Sequence, residues 1–121
     1  EKHGIRWALA SDIGGGPILS MLDVMSSFVA QNEKKGVKGA TFKKALYRAT
    51  LAGAEILQLD KKKGNLSEGK EANFIVLPKN KDGLNLEDYF HLLSKRGKRK
   101  RSLFDTMPEK VFYQGNLVHS K

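Results

Sequence analysis

The first apolar cluster of the chain is short and lies between glycines. Residues 5–10 are almost all apolar, and Gly4 and Gly14 flank the segment. A nearly continuous apolar run of this length, bounded by glycine, is typical of a buried strand. We therefore predict a buried strand at residues 5–10 that ends in a glycine-rich loop.

Residues 19–29 carry apolar side chains at helical spacing. Ser20 or Pro17 marks the predicted start of this helix, and its two methionines are predicted to fill the core rather than to bind a ligand. Residues 33–39 are charged and contain glycine, which predicts a solvated loop. The predicted apolar face consists of Met21, Leu22, Met25, Phe28 and Val29.

A second helix is predicted from Thr41, a suitable N-cap, to Leu57. Its middle, residues 49–54, has small side chains apart from Leu51. Glycine inside a helix costs about 1 kcal/mol relative to alanine, and such a cost is tolerated where another element packs closely. Gly53 therefore predicts a buried helix with a close neighbour.

The pattern changes near residue 62, from helical spacing to short strands separated by glycines. Residues 73–77 form the clearest predicted strand, and Pro78 closes it. Residues 86–93 predict a short amphipathic helix. Residues 111–118 predict a hairpin whose turn lies at residues 114–116. No internal repeat is visible.

Asp12 is the candidate functional residue. It follows the predicted strand and precedes three consecutive glycines, residues 14–16. In parallel α/β folds catalytic side chains collect at the carboxyl ends of strands. The alternative is a turn residue that hydrogen-bonds its own backbone. The glycines lack the spacing of a dinucleotide fingerprint, and no Gly-Lys-Ser/Thr follows them, so a phosphate-binding loop is not expected.

Composition narrows the classes of protein. The 121 residues contain no cysteine, which excludes disulfides and thiolate metal sites and is compatible with the cytosol. No apolar run approaches the roughly 20 residues that span a bilayer, so we expect a cytoplasmic protein without a membrane partner. The chain opens on Glu1 rather than Met, and we expect it to be a piece of a longer protein.

The net charge of +9 directs attention to a basic run. Residues 95–101 carry six positive charges in seven positions. Such a run is compatible with binding to nucleic acid or to an acidic partner. It is also typical of a solvated loop. No aromatic residues alternate with the charges to stack on bases, so we do not expect a nucleic-acid partner.

Four blocks in order resemble the C-terminal part of the amidohydrolase superfamily, and within it the branch of guanine deaminases and related aminohydrolases. Residues 8–16, followed by Ser-Met-Leu at 20–22, resemble the last barrel strand and its loop. Residues 45–57 are similar to the helix A-T-x-x-G-A-x-x-L. Residues 64–77 are similar to G-x-L-x-x-G-K-x-A-D-hydrophobic-V, and residues 111–118 to a closing hairpin.

The resemblance implies a fold class: α/β, as a partial (β/α)8 barrel with part of a small composite β-sandwich. Residues 1–60 then correspond to the last strand and C-terminal helices of the barrel. Residues 61–121 correspond to the C-terminal share of the sandwich. The resemblance does not extend to the basic run.

The resemblance also implies a reaction, the hydrolytic deamination of a purine such as guanine to xanthine, with release of ammonia. In this family a divalent metal, usually zinc, activates a water molecule. Asp12 matches the aspartate that coordinates the metal and handles the proton of the water. The family's other ligands and its general acid lie on earlier strands. His3, His91 and His119 lack ligand spacing and are expected to be structural or exposed.

Two departures from the family pattern stand out. Ser11 replaces threonine, which is a mild change, and Asn73 replaces an aspartate, so a charge and any ion pair there are lost. A catalytic zinc normally takes three protein ligands. We therefore expect this chain alone to bind no zinc tightly, to deaminate nothing, and to self-associate through its incomplete barrel edge.

Two alternatives stay open from the sequence. The parent protein can belong to another branch of the superfamily, such as the chlorohydrolases or the cytosine- or adenosine-type deaminases. Alternatively, the chain is a basic binding module that uses residues 95–101. Steep salt dependence of binding would favour the second alternative.

Overall fold

The computed structural model describes residues 3–16, 18–97 and 108–121, with the backbone alone for residues 96 and 97. Helices and strands both occur there, in agreement with the α/β class. Their order is α1 (Met21–Lys34), α2 (Phe42–Ala49), α3 (Leu51–Ile56), β1 (Phe74–Val76), α4 (Leu86–Gly97), β2 (Lys110–Tyr113) and β3 (Asn116–Ser120).

Helix α1 begins where the sequence predicts. Ser20 is the N-cap, and its hydroxyl accepts the N–H of Asp23 at 3.5 Å. The helix continues to Lys34, so the prediction of a loop from residue 33 is wrong by two residues. The apolar face ends earlier, but Asn32 adds a local contact by donating its side-chain amide to the carbonyl of Phe28 at 2.8 Å.

The second predicted helix is interrupted. Its start is confirmed, because the Thr41 hydroxyl accepts the N–H of Lys44 at 3.1 Å. At Thr50, however, the backbone leaves the helical region, with φ −129° and ψ −92°, and separates α2 from α3. The Thr50 hydroxyl donates to the carbonyl of Leu46 at 2.7 Å, and its N–H donates to Tyr47 at 3.2 Å. The bond from the Thr50 side chain competes with the backbone hydrogen bonds of the helix. The spacing of apolar residues gives no sign of such a bond.

The main core lies among α1, α2 and α4. The rings of Phe42 and Phe90 stack with centroids 5.4 Å apart, and the Ser26 and Ser94 hydroxyls hydrogen-bond between α1 and α4. Full burial of one such apolar side chain contributes about 1.5–3 kcal/mol. The core position predicted for Met25 is confirmed. The buried cluster consists of Met25, Val29, Phe42, Ala45 and Phe90.

Glu87 of α4 caps the N-terminus of α2. Its Oε1 accepts the N–H of Phe42 at 2.6 Å, and its Oε2 accepts the N–H of Lys43 at 3.3 Å. His91 of α4 lies with Nε2 3.9 Å from Glu87 and 3.9 Å from Glu33 of α1. Helix α2 has only eight residues, and the N–H groups of its first two residues depend on a side chain from another helix.

The predicted strand and hairpin are confirmed. Strands β1, β2 and β3 form an antiparallel sheet in that order, with Phe74 opposite Phe112 and Phe112 opposite Leu117. Gln114 and Gly115 both have positive φ, 49° and 79°, as a two-residue type I′ turn requires. The predicted helix at residues 86–93 is also confirmed, and it extends to Gly97.

The buried strand predicted at residues 5–10 is wrong. The structure assigns no strand there, and Ile5 is 68% exposed. An apolar run becomes a strand only when another strand satisfies its backbone groups. Among the described residues, the sheet of β1, β2 and β3 does not include this segment.

Candidate functional site

Asp12 lies in a tight turn, where the sequence predicts the end of the apolar segment. Its φ is 51°, in the left-handed region that aspartate tolerates better than most residues. Its carbonyl accepts the N–H groups of Gly15 at 2.9 Å and Gly16 at 2.6 Å. The residue is exposed, so its carboxylate is presented at the protein surface.

The glycines fold back against Asp12. A Cβ placed on Gly15 would lie 2.6 Å from Oδ2 of Asp12, and one on Gly16 would collide with the carbonyl oxygen of Ser11. Side chains at these positions would therefore displace the turn or the carboxylate. The atoms that approach these two glycines belong to Ser11 and Asp12.

Arg48 of α2 holds the segment before Asp12. Its Nη1 donates to the carbonyl oxygen of Trp7 at 3.0 Å, and its Cζ lies 4.3 Å from the centroid of the Trp7 ring. Its own carbonyl accepts the N–H of Leu9 at 2.9 Å. The indole also packs against Phe28 of α1, with centroids 5.6 Å apart. Residues 7–9 are thus fixed to the helices, although they form no strand.

An open cavity of about 310 Å³ lies beside this contact. Its wall includes Trp7, Arg48 and the pair formed by Tyr47 and Glu55, in which the phenol donates to Oε2 at 2.6 Å. This hydrogen bond, with partial burial and the Glu55 charge, raises the pKa of Tyr47, whereas the Arg48 charge opposes the shift. The cavity therefore combines aromatic faces with both signs of charge.

The structure does not bring a metal-binding set around Asp12. In residues 3–16, 18–97 and 108–121, no cluster of three or more histidine, aspartate or glutamate side chains could hold a metal ion. His3 and His119 are exposed. His91 packs edge-on against Phe42, with centroids 5.0 Å apart.

Sequence reasoning did not single out Arg48 or Glu87. Arg48 occurs in a stretch of small and apolar residues, where a long cation is unusual and could have drawn attention. Glu87 gives no local pattern, because it caps a helix that begins 45 residues earlier. Most of the basic run at 95–101 lies outside the residues whose side chains are described, and Lys95 is exposed.

Within the described part of the chain, no helix is both long and apolar enough to cross a membrane.

The chain matches the family model described as "Amidohydrolase family" over residues 1–118. It is 38% identical over 87 residues to the guanine deaminase of Homo sapiens, which covers 67% of this chain and 19% of that protein. It is 34% identical over 73 residues to the guanine deaminase of Escherichia coli K12, covering 60% of this chain and 16% of that protein.

The fold is similar to the structure titled "E. coli Guanine Deaminase", with a TM-score of 0.77 and 25% identity, over 97% of this chain and 28% of that chain. The chain spans less than a fifth of the length of the curated relatives described above. Since the family model covers almost every residue, the chain belongs to the amidohydrolase family.

Proposed function

We propose that this chain is the C-terminal portion of a zinc-dependent aminohydrolase that converts guanine to xanthine and releases ammonia. The observation that carries the proposal is that both the sequence and the fold are similar to those of guanine deaminases. The relatives in both comparisons are guanine deaminases, and the likeness in fold extends over nearly the whole chain. A cytoplasmic location goes with this proposal.

The proposed architecture follows the two halves of the chain. Residues 1–60 are the last strand and C-terminal helices of the barrel, and residues 61–121 are the C-terminal part of the sandwich. In support, the strands of the described sheet all lie in the second half. The apolar segment at residues 5–10 would acquire a strand partner in a complete barrel.

Asp12 is the proposed metal ligand and proton acceptor. Its carboxylate is exposed at a tight turn in which Gly15 leaves room for it. A carboxylate is anionic near neutral pH, binds a hard cation through oxygen, and can accept a proton. If Asp12 and ligands from the rest of the longer protein held a zinc ion, the metal would supply an activated water near neutral pH.

The described residues alone do not fit a catalytic zinc. Asp12 supplies one oxygen ligand, whereas such a site takes three protein ligands, and the described residues hold no suitable cluster. We therefore propose that the other ligands come from a preceding part of the longer protein. The isolated chain is expected to bind no zinc tightly and to have no deaminase activity.

Self-association of the isolated chain is part of the proposal. Several large apolar side chains are exposed, including Ile13 at 82% and Leu66 at 73%. A longer protein would have further surface to cover them, whereas separate copies of this chain can cover one another. A homo-oligomer is thus expected by light scattering, and a monomer at high concentration would contradict this part of the proposal.

The proposed reaction is tested by Asp12→Asn in the full-length enzyme. Asparagine keeps an oxygen atom but cannot accept the proton, so we expect the rate of ammonia release from guanine to fall by about 10²–10⁴-fold. Asp82→Asn, which removes the same charge from an exposed loop, is the matched control. Full activity of Asp12→Asn would contradict the role of Asp12, and absence of deamination by the unaltered enzyme would contradict the proposed function.

A further inference from the structure

The segment that leads to Asp12 is held in an unusual way. Two of its residues are hydrogen-bonded to α2. Trp7 accepts a hydrogen bond from the Arg48 guanidinium, and Leu9 donates to the Arg48 carbonyl. Between them, Ala8 lies opposite Gly53 of α3, where an added Cβ would be 3.7 Å from the Cβ of Ala8. Arg48 makes both hydrogen bonds.

The interruption at Thr50 makes the second Arg48 contact possible. The last four carbonyls of a helix lack partners within that helix. In α2 two of them are satisfied by Thr50, whose hydroxyl and N–H donate to Leu46 and Tyr47. The carbonyl of Arg48 accepts the N–H of Leu9 instead. The break in the helix therefore creates an acceptor for the segment.

The guanidinium adds a contact that another cation could not reproduce. It is planar, so it can stack on the Trp7 ring while it donates to the carbonyl of the same residue. Lysine has a single charged nitrogen on a flexible stem and cannot make both contacts in this geometry. Arg48 thus fixes both the backbone and the side chain of Trp7.

We propose that Arg48 is a positioning residue for Asp12, an inference that rests on the proposed function. Leu9 is three residues before Asp12, and three residues of chain span at most about 10 Å. Fixing Leu9 therefore limits where Asp12 can lie. The turn from Asp12 to Gly16 then sets the direction of the carboxylate. Arg48 acts through the segment and is not assigned a contact with the substrate.

The first test uses Trp7, which is the single tryptophan of the 121 residues. In the 121-residue chain, Arg48→Met is expected to increase quenching of Trp7 fluorescence by acrylamide, because the indole loses the side chain that covers one face. Arg48→Lys should give an intermediate value. Lys43→Met removes the same charge from an exposed position of α2 and should leave quenching unchanged. Unchanged quenching in Arg48→Met would overturn the inference.

The second test uses the full-length enzyme. Arg48→Met is expected to lower kcat for guanine by about 10–100-fold, with a much smaller change in KM. The reason is that the Asp12 carboxylate, which would be misplaced, acts on the reaction rather than on purine binding. Arg48→Lys should recover part of the lost kcat. If Arg48→Met does not fold, the kcat of Arg48→Lys is compared with that of Lys43→Met instead. A kcat for Arg48→Lys equal to that of Lys43→Met would then overturn the inference.

Asp12→Asn separates this inference from the function on which it rests. If Asp12→Asn is inactive while both Arg48 variants keep full kcat, the positioning role is wrong and the proposed function stands. If Asp12→Asn keeps full activity, the role assigned to Asp12 is wrong and the positioning role falls with it. The inference holds when Asp12→Asn is inactive and Arg48→Met loses more kcat than Arg48→Lys does.

Discussion

Two regions of this molecule have strand-like sequences, but they differ in what holds their backbones. In the sheet region, which we define as residues 62–77 and 108–121, β1 and β3 both pair with β2. The N-terminal segment, residues 5–16, has no place in that sheet. It is attached instead through the hydrogen bonds of Arg48 and the packing of Trp7 on Phe28, and it ends in a turn of its own.

The difference shows what an apolar pattern can specify. Apolar spacing indicates which residues tend to leave water, and this tendency is similar in both regions. A strand also requires a neighbour for its N–H and C=O groups. The sheet region has that neighbour in the described chain, whereas the N-terminal segment does not. The following predictions test how firmly each region is fixed.

The largest expected effect is on the sheet region, at Gly64. Its φ is 103°, and an added Cβ would lie 2.8 Å from the Cβ of Ala54 and 3.1 Å from the Cα of Leu51. Gly64→Ala should therefore lower the free energy of unfolding of the 121-residue chain by about 2–4 kcal/mol, through backbone strain and crowding against α3. Urea denaturation measures this change.

Gly69→Ala is the matched control for Gly64. Gly69 also has a positive φ, 81°, but nothing lies within 4 Å of its added Cβ. The control should lose only about 1–2 kcal/mol, from backbone strain. Equal losses in the two variants would show that packing against α3 does not fix this end of the sheet region.

A smaller effect of opposite sign is expected at Gly53, which faces the N-terminal segment. Its φ is not positive, and an added methyl group would be 3.7 Å from the Cβ of Ala8, an ordinary contact. Gly53→Ala should raise the free energy of unfolding by about 0.5–1 kcal/mol, because alanine favours the helix. Urea denaturation should give a higher midpoint. A lower midpoint would indicate that the segment packs more tightly than this spacing implies.

The smallest effect concerns Glu71, next to β1. Its pKa is lowered, first by the hydrogen bond from Asn73 and then by the one from Lys63, with lesser charge effects from Lys63 and Lys62, while desolvation opposes the shift. Since the folded pKa is below the ordinary one, this contribution to stability is present above the ordinary pKa and is lost as pH falls through the folded value. Asn73→Ala should raise the pKa of Glu71.

An NMR titration of the Glu71 carboxyl carbon measures that shift directly. Lys63→Met removes the second contact, which is an ion pair of 3.2 Å, and should raise the pKa less than Asn73→Ala does. A larger shift in Lys63→Met would contradict the order of the two causes. An unchanged pKa in both variants would mean that neither contact persists in solution.

The sequence was a good guide where local chemistry decides the backbone. Ser20 and Thr41 begin helices as predicted, because a hydroxyl that caps an N–H three residues later needs no distant partner. The hairpin turn at Gln114 and Gly115 is also predicted from local sequence, because glycine readily adopts the positive φ that such a turn requires. The position of Asp12 in a glycine-rich turn also follows from local sequence, whereas its role in catalysis remains a proposal.

The sequence was a poor guide where a single side-chain hydrogen bond outweighs the apolar pattern. The break at Thr50 depends on one hydroxyl that bonds to Leu46 within an apparently continuous helical pattern. Asn73 was expected only to lack a charge. Its amide instead donates to Glu71 at 2.9 Å and accepts the N–H of Gln114 at 2.8 Å, which joins β1 to the hairpin. A carboxylate could not donate to Glu71 in this way.

The cap that Glu87 provides to α2 has a consequence for the order of folding during synthesis. An eight-residue helix is too short to be stable by itself in water, and the acceptor for its first N–H groups is made 45 residues later. Helix α2 can therefore complete the hydrogen bonds of its first turn only after α4 has left the ribosome and docked. Because Arg48 also belongs to α2, the N-terminal segment, although it is translated before both helices, should be among the last parts of these 121 residues to reach its final position.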